Sequence, residues 1–265
     1  HAPEALPRPM TRVPPTRPLP WLEPGQAFPP VEDAWGPADP APGLLAAGGA
    51  LDVPTLVAAY TRGIFPWYSA GQPILWWSTD PRMVLQAAEF RFHRSLRKTL
   101  QKLLADGRLD IRVDHDFERV IRACAHTPRT GQDGTWILPA MAQAYLRLHR
   151  AGLAHSVETW IDGELVGGLY CVNIGAMIYG ESMFSRLPDA SKMALAALVA
   201  FCRVKRIPLI DCQQNTAHLA SLGGRVMPRT DFLQHLNMAL PLAAPTWEFS
   251  PVYWDALFND ASRPA

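Results

Sequence analysis

The stretch Ser156-Val157-Glu158-Thr159-Trp160-Ile161-Asp162-Gly163-Glu164-Leu165-Val166 decides the fold. Ser156 to Trp160 reads as a strand. Asp162-Gly163 is a two-residue hairpin turn signal. A second strand follows over Glu164 to Val172, a second turn near Asn173-Gly175, and a third strand over Ala176 to Met183. Three strands joined by tight turns form an antiparallel meander.

Working outward, Asp189 is placed to cap a helix that carries Ala194, Ala197, Leu198 and Phe201 on one face. Arg203, Lys205 and Arg206 suit its C-terminal end. Leu209 to Cys212 reads as a short buried strand and Thr216 to Leu222 as a helix stopped by Gly223-Gly224. Upstream, Phe90 to Leu104 is predicted helical and Leu109 to Val113 extended. A further helix opens at Pro139, with Met141, Ala144, Tyr145 and Leu148 at i, i+3, i+4 and i+7. Leu138, before it, offers no capping oxygen. The class is α+β, with no internal repeat.

The chain divides by composition. Half of its 26 prolines fall in the first 42 residues, where fixed φ and missing donors exclude a regular helix or central strand. Residues 1–42 are therefore expected to form an extended arm along the surface. Residues 43–88 read as a small N-terminal α/β unit. In it Asp52 caps a helix whose Leu56, Ala59 and Tyr60 share a face, Gly63 ends that helix, and an aromatic-rich stretch follows. Residues 89–265 form the larger domain.

Of 265 residues, 48% are hydrophobic and 18% charged, enough for a substantial core, and the net charge of +1 excludes a broadly cationic nucleic-acid protein. RNA binding through one local patch stays open. Cys124, Cys171, Cys202 and Cys212 lie in apolar stretches without C-x-x-C spacing, so buried free thiols are expected, with no zinc site and no disulfide framework. No apolar run reaches the ~20 residues of a membrane span. The eight histidines show no metal-ligand spacing, and His155 and His218 read as structural. A reduced cytoplasmic setting is expected.

Four motifs concentrate the chemistry: Arg62-Gly63-Ile64-Phe65-Pro66-Trp67, Ile74-Leu75-Trp76-Trp77-Ser78, Gly180-Glu181-Ser182-Met183-Phe184-Ser185-Arg186, and Leu209-Ile210-Asp211-Cys212-Gln213. Asp211 and Gln213, two apart on a predicted strand, should point to one face. No G-x-S-x-G elbow or other recognisable nucleophile motif is present. Together the motifs resemble the bacterial leucyl/phenylalanyl-tRNA–protein transferases, over roughly Phe28 to Leu236. The meander, helix and further strand resemble a GNAT-like N-acyltransferase core.

The resemblance implies transfer of Leu, and also Phe or Met, from an aminoacyl-tRNA to the α-amine of proteins with N-terminal Arg or Lys, marking them for degradation. It implies no cofactor, metal or membrane. The ester is already activated, and an α-amine with a pKa of ~7.7–8.0 is partly neutral at pH 7. Such a site needs positioning, proton management and hydrogen bonds to the carbonyl more than a covalent nucleophile. Asp211 and Gln213 match the family's residues for activating the acceptor amine, and Glu181 matches an active-site Glu suited to the acceptor's cationic side chain.

Trp67 and Trp136 are the expected platforms for the terminal adenine, and Ile178, Met183 and Phe184 the lining of an apolar side-chain pocket. Ser182 and Ser185 either donate to substrate or serve local turns. Trp76 and Trp77 read as core. Arg62, Arg91, Arg94, Arg97 and Lys98 are candidate phosphate contacts, or else a solvated cationic face. Thr79 and Tyr68 depart from the family's commoner Pro and Phe, at positions expected to lie away from the chemistry. Two other readings stay open. An acyl-CoA-dependent N-acetyltransferase is disfavoured because Ser185 to Ser191 lacks the glycines of a pyrophosphate loop. A non-catalytic adaptor for N-terminal Arg or Lys is the other.

Overall fold

The computed structural model describes residues 18–126, 137–214 and 216–260. A smaller sheet contains β1 (Trp21–Leu22), β2 (Leu44–Gly48), β3 (Phe65–Pro66) and β4 (Leu75–Trp77), in the order β1-β2-β4-β3. A larger sheet contains β5 (Arg82–Gln86), β6 (Leu109–Val113), β7 (Ala154–Ile161), β8 (Glu164–Ile174), β9 (Met177–Ser185), β10 (Leu209–Gln213) and β11 (Arg225–Met227). Its order is β11-β5-β10-β9-β8-β7-β6. The helices are α1 (Val53–Tyr60), α2 (Arg94–Ala105), α3 (Phe117–Ala125), α4 (Pro139–Arg150), α5 (Ala190–Lys205), α6 (Ala217–Ser221), α7 (Arg229–Ala239) and α8 (Asp255–Phe258).

The meander is β7-β8-β9. Asp162 and Gly163 both take positive φ at the first hairpin, as a two-residue turn of this hand requires. After the α5 crossover, β10 returns parallel to β9, and β5 closes antiparallel on its far side. Two expectations need correction. Arg82–Gln86, expected within the small unit, is a strand of the larger sheet, because its apolar Met83, Val84 and Leu85 find partners on both β10 and β11. The described part of the arm is not draped on the surface. Trp21–Leu22 adds a parallel strand to β2, and Phe28, Val31 and Ala34 are buried in the core.

Two apolar layers flank the larger sheet. One face packs α1, α3, α4, α7 and the smaller sheet into a single core that includes Tyr60, Trp76, Tyr145, Tyr170 and Phe232. The other packs α2, α5 and α8 around Leu100, Leu169, Ile178 and Leu198. Asp52 caps α1 by accepting from Thr55 N at 2.8 Å, a bond worth about 1 kcal/mol. Asp189 does not cap α5. It sits at φ +66° and pairs with Lys192 at 3.5 Å, and the Ser191 amide donates instead to Ser185 Oγ at 3.1 Å.

Candidate active site

Strand β9 would alternate strictly but for one inserted residue. Ser182 lies opposite Tyr170 and Gly180 opposite Cys171, which leaves Glu181 as the extra residue of a bulge. A bulge re-aims side chains, and here it turns Glu181 towards the α1/α4 side of the sheet. Tyr60 at the end of α1 donates to Glu181 Oε1 at 2.6 Å, and Tyr145 of α4 donates to Oε2 at 3.1 Å. The two phenol oxygens are themselves 2.8 Å apart. Gln213 Nε2 donates to Oε1 at 3.1 Å. Around this carboxylate Trp67, Tyr68, Ile137, Met141, Tyr145, Tyr170 and Gln213 line an aromatic pocket.

Desolvation pushes the Glu181 carboxyl up to about 7, and the charge of Asp211 adds to it. The bonds from Tyr60, Tyr145 and Gln213 pull the other way by favouring the charged form. Burial first, and then the charge of Glu181, hold Tyr60 and Tyr145 well above the ordinary phenol range, so both stay donors. The site is thus a carboxylate that exchanges a proton near neutrality, gripped by two phenols and an amide.

Asp211 lies behind this pocket. Arg82 grips both its oxygens, from Nε at 2.9 Å and from Nη2 at 2.7 Å, and neither side chain is exposed. Arg82 also donates to the Gly63 carbonyl and lies between the rings of Phe65 and Phe232. Asp211 therefore does not share an open face with Gln213. The strand slips register between them, and Gln213 takes φ +67°. Its amide donates to Asp211 Oδ1 at 2.9 Å, which frees its side chain to reach Glu181. Thr79 Oγ1 fastens the Gln213 carbonyl at 2.8 Å, and Tyr68 lines the pocket, so both family departures touch the site after all.

The remaining candidates separate. Trp67 lines the pocket, while Trp136 lies outside the described residues. Ser182 shares the pocket face through its pairing with Tyr170. Ile178 and Met183 point to the opposite face and pack in the α5 core, because they fall on the other phase of the pleat. Phe184 is on the pocket face but 2% exposed and further along the strand. Ser185 Oγ serves the turn into α5, donating to the Leu187 carbonyl at 2.8 Å.

Arg62 is exposed just past α1, and Arg91 is exposed before α2 rather than on its face. Arg94 and Lys98 are exposed on α2, which covers the face away from Glu181. Arg97 is occupied: it donates to the Leu257 and Phe258 carbonyls at 3.4 Å and stacks over Phe92 and Phe258. Sequence reasoning missed Tyr60, Tyr145 and Arg82. The available signal was that a tyrosine on a buried helix face needs a partner for its hydroxyl.

Residues 84–237 match the leucyl/phenylalanyl-tRNA protein transferase family and residues 49–80 match that family's N-terminal domain. A leucyl/phenylalanyl-tRNA–protein transferase of Polaromonas sp. is 62% identical over 94% of this chain and 97% of its own length. Its counterpart from Albidiferax ferrireducens is 57% identical, over 96% and 99%, and that of Leptothrix cholodnii is 59% identical, over 90% and 95%. Among solved structures, a GCN5-related N-acetyltransferase-like protein from Streptococcus suis aligns over 62% of this chain and 59% of its own at TM-score 0.30 and 14% identity, below the level at which a shared fold follows. With near-complete coverage at this identity, the chain belongs to the leucyl/phenylalanyl-tRNA–protein transferase family, and it is a transferase.

Proposed function

We propose that this protein moves a leucyl, phenylalanyl or methionyl group from its tRNA to the α-amine of a protein beginning with Arg or Lys, in the cytoplasm, and so marks that protein for degradation. The observation that carries this reading is Glu181, pushed up to about pKa 7 by burial and gripped by two phenols and Gln213 in an aromatic pocket. An α-ammonium has a pKa of ~7.7–8.0, so proton transfer to Glu181 is close to balanced. Gln213 donates to Glu181 through its nitrogen and keeps its amide oxygen to accept from the incoming amine. The neutral amine attacks the ester carbonyl carbon and the C–O bond to the ribose breaks as Glu181 passes its proton to the leaving 3′-oxygen. The Glu181 carboxylate so formed then takes the second proton from the nitrogen, leaving a neutral amide, and releases it to water.

Asp211 acts as a positioning residue, through the Gln213 amide it accepts from and the Arg82 that anchors it. Trp67 offers an indole face to the terminal adenine, with base stacking worth about 1–3 kcal/mol. The order β7-β8-β9-α5-β10, with β10 parallel to β9, supports the GNAT-like reading. Arg62, Arg91, Arg94 and Lys98 are exposed, the last two on α2 across the sheet from the pocket, and they suit the outer body of the tRNA. The test is transfer of labelled leucine from Leu-tRNA to a protein with N-terminal Arg, beside N-terminal Asp and Gly controls. Labelling of the Arg protein alone is expected. No labelling by folded enzyme with intact Leu-tRNA would overturn the reading.

A further inference from the structure

Past Glu181, β9 runs on along the same face of the sheet to a second cavity. This one measures ≈ 330 Å³ and is lined by Arg119, Arg122, Ala123, His126, Phe184 and Arg186. Three of the six lining residues are arginines, and no acid is among the described residues that line it. Phe184, almost wholly buried, makes the floor, and the Arg186 guanidinium lies 5.7 Å above its ring. Arg119 and Arg122 are three apart on α3 and so share a face of that helix.

The arginines are held in place but not used up. Arg119 lies 5.5 Å over the Trp160 ring and 3.8 Å from Asp116, and Arg122 pairs with Glu118. A guanidinium carries five donors, and one carboxylate engages at most two of them well, so donors remain to meet a ligand. The three cations gather at one place on a chain whose net charge is only +1. From Glu181 to Phe184 and Arg186 is three to five residues, or about 10–17 Å of strand. That length matches about three to five stacked nucleotides at 3.4 Å per step of one strand.

We infer that this groove binds the phosphodiester backbone of the donor RNA a few nucleotides inside its aminoacylated end, with Arg119, Arg122 and Arg186 as the phosphate ligands. The inference rests on the transferase reading of the Glu181 pocket. An RNA strand fits better than the acceptor polypeptide, because an arginine-lined wall repels a segment that begins with Arg or Lys, while a phosphodiester strand presents an anion at every step. Arginine is also the side chain whose planar fork matches phosphate.

The test uses the full chain with Arg119→Gln/Arg122→Gln and, separately, Arg186→Gln. The expected result is that the ratio of KM for Leu-tRNA to KM for leucyl-adenosine, which has no phosphate, rises about tenfold in the double variant. The salt dependence of tRNA binding should also flatten by about one unit of slope per arginine removed. An unchanged slope would overturn the inference, and so would an equal rise in both KM values, which marks a structural role. A rise confined to KM for an acceptor with acidic residues after its N-terminal Arg would assign the groove to the polypeptide instead. Wild-type enzyme that uses neither donor refutes the transferase reading, and the salt dependence of tRNA binding still judges the groove.

Discussion

The two faces of the larger sheet are built from the same strands yet carry opposite contents. Beneath α5, Ala194, Ala197, Leu198 and Phe201 close on Leu169, Cys171 and Ile178, an almost wholly apolar layer. On the other face the buried groups include Glu158, Asp211, Arg82 and four tyrosines, Tyr60, Tyr145, Tyr170 and Tyr179. These polar groups satisfy one another: Glu158 accepts from Ser156, Trp160 and the Asp116 amide, and Tyr179 donates to the Tyr60 carbonyl. Alternation along each strand sorts side chains between the faces, and two bulges then add Glu181 and Gln213 to the polar one. The difference teaches that one face supplies stability by burial while the other holds a network whose members can change protonation.

Five outcomes break or sharpen this contrast. The largest is for Arg82→Ala, which leaves Asp211 as an unpaired buried charge. Unfolding by denaturant should show a loss of about 3–5 kcal/mol, and a loss under 1 kcal/mol would mean that the pair is dispensable. Next is Glu181→Gln, expected to lower transfer by about 10²–10⁴-fold while the protein stays folded. In wild type, activity should rise with pH through about 7 as Glu181 ionises, and that limb should vanish in the variant.

The sign for stability is the reverse. Burial raises the folded-state pKa of Glu181 above its unfolded value of 4.5. The folded state therefore holds the proton more tightly between pH 4.5 and about 7, and wild type loses stability as pH rises across that window. A pH titration of the melting midpoint in wild type and Glu181→Gln checks this, and identical slopes would contradict it.

On the opposite face, Leu198→Ala should cost about 2–5 kcal/mol in stability through a cavity. The pH profile of transfer should not move, and a moved profile would show that the two faces are coupled. The smallest effect is for Tyr60→Phe and Tyr145→Phe, each removing a donor to Glu181 at about 1–3 kcal/mol. Both should shift the activity limb to higher pH. Tyr60→Phe should shift it further, since its bond at 2.6 Å is the shorter of the two.

Much of this was legible in the chain. The meander, the Asp162-Gly163 turn, the Asp52 cap and the apolar phase of α5 all follow from local periodicity and turn chemistry. The aromatic-rich motifs around Trp67 and Glu181 pointed to the pocket and to the family. What the chain did not disclose was the state of each side chain within its motif. Strict alternation put Asp211 and Gln213 on one face, and apolar character put Ile178 and Met183 in the pocket, but bulge positions and strand phase belong to the pairing of β9 and β10 with their neighbours. Arg82 could not be matched to Asp211, nor Tyr60 and Tyr145 to Glu181, because those partners are 129, 121 and 36 residues apart. The sequence by itself determined the meander, α4, α5 and β10, since these rest on interactions between residues near in the chain, and its motifs determined the family. Only the tertiary structure decided that Glu181 exchanges protons near neutrality while Asp211 is locked in an ion pair. A carboxyl's role is set by burial and by the donors around it, and both come from distant segments meeting across the sheet.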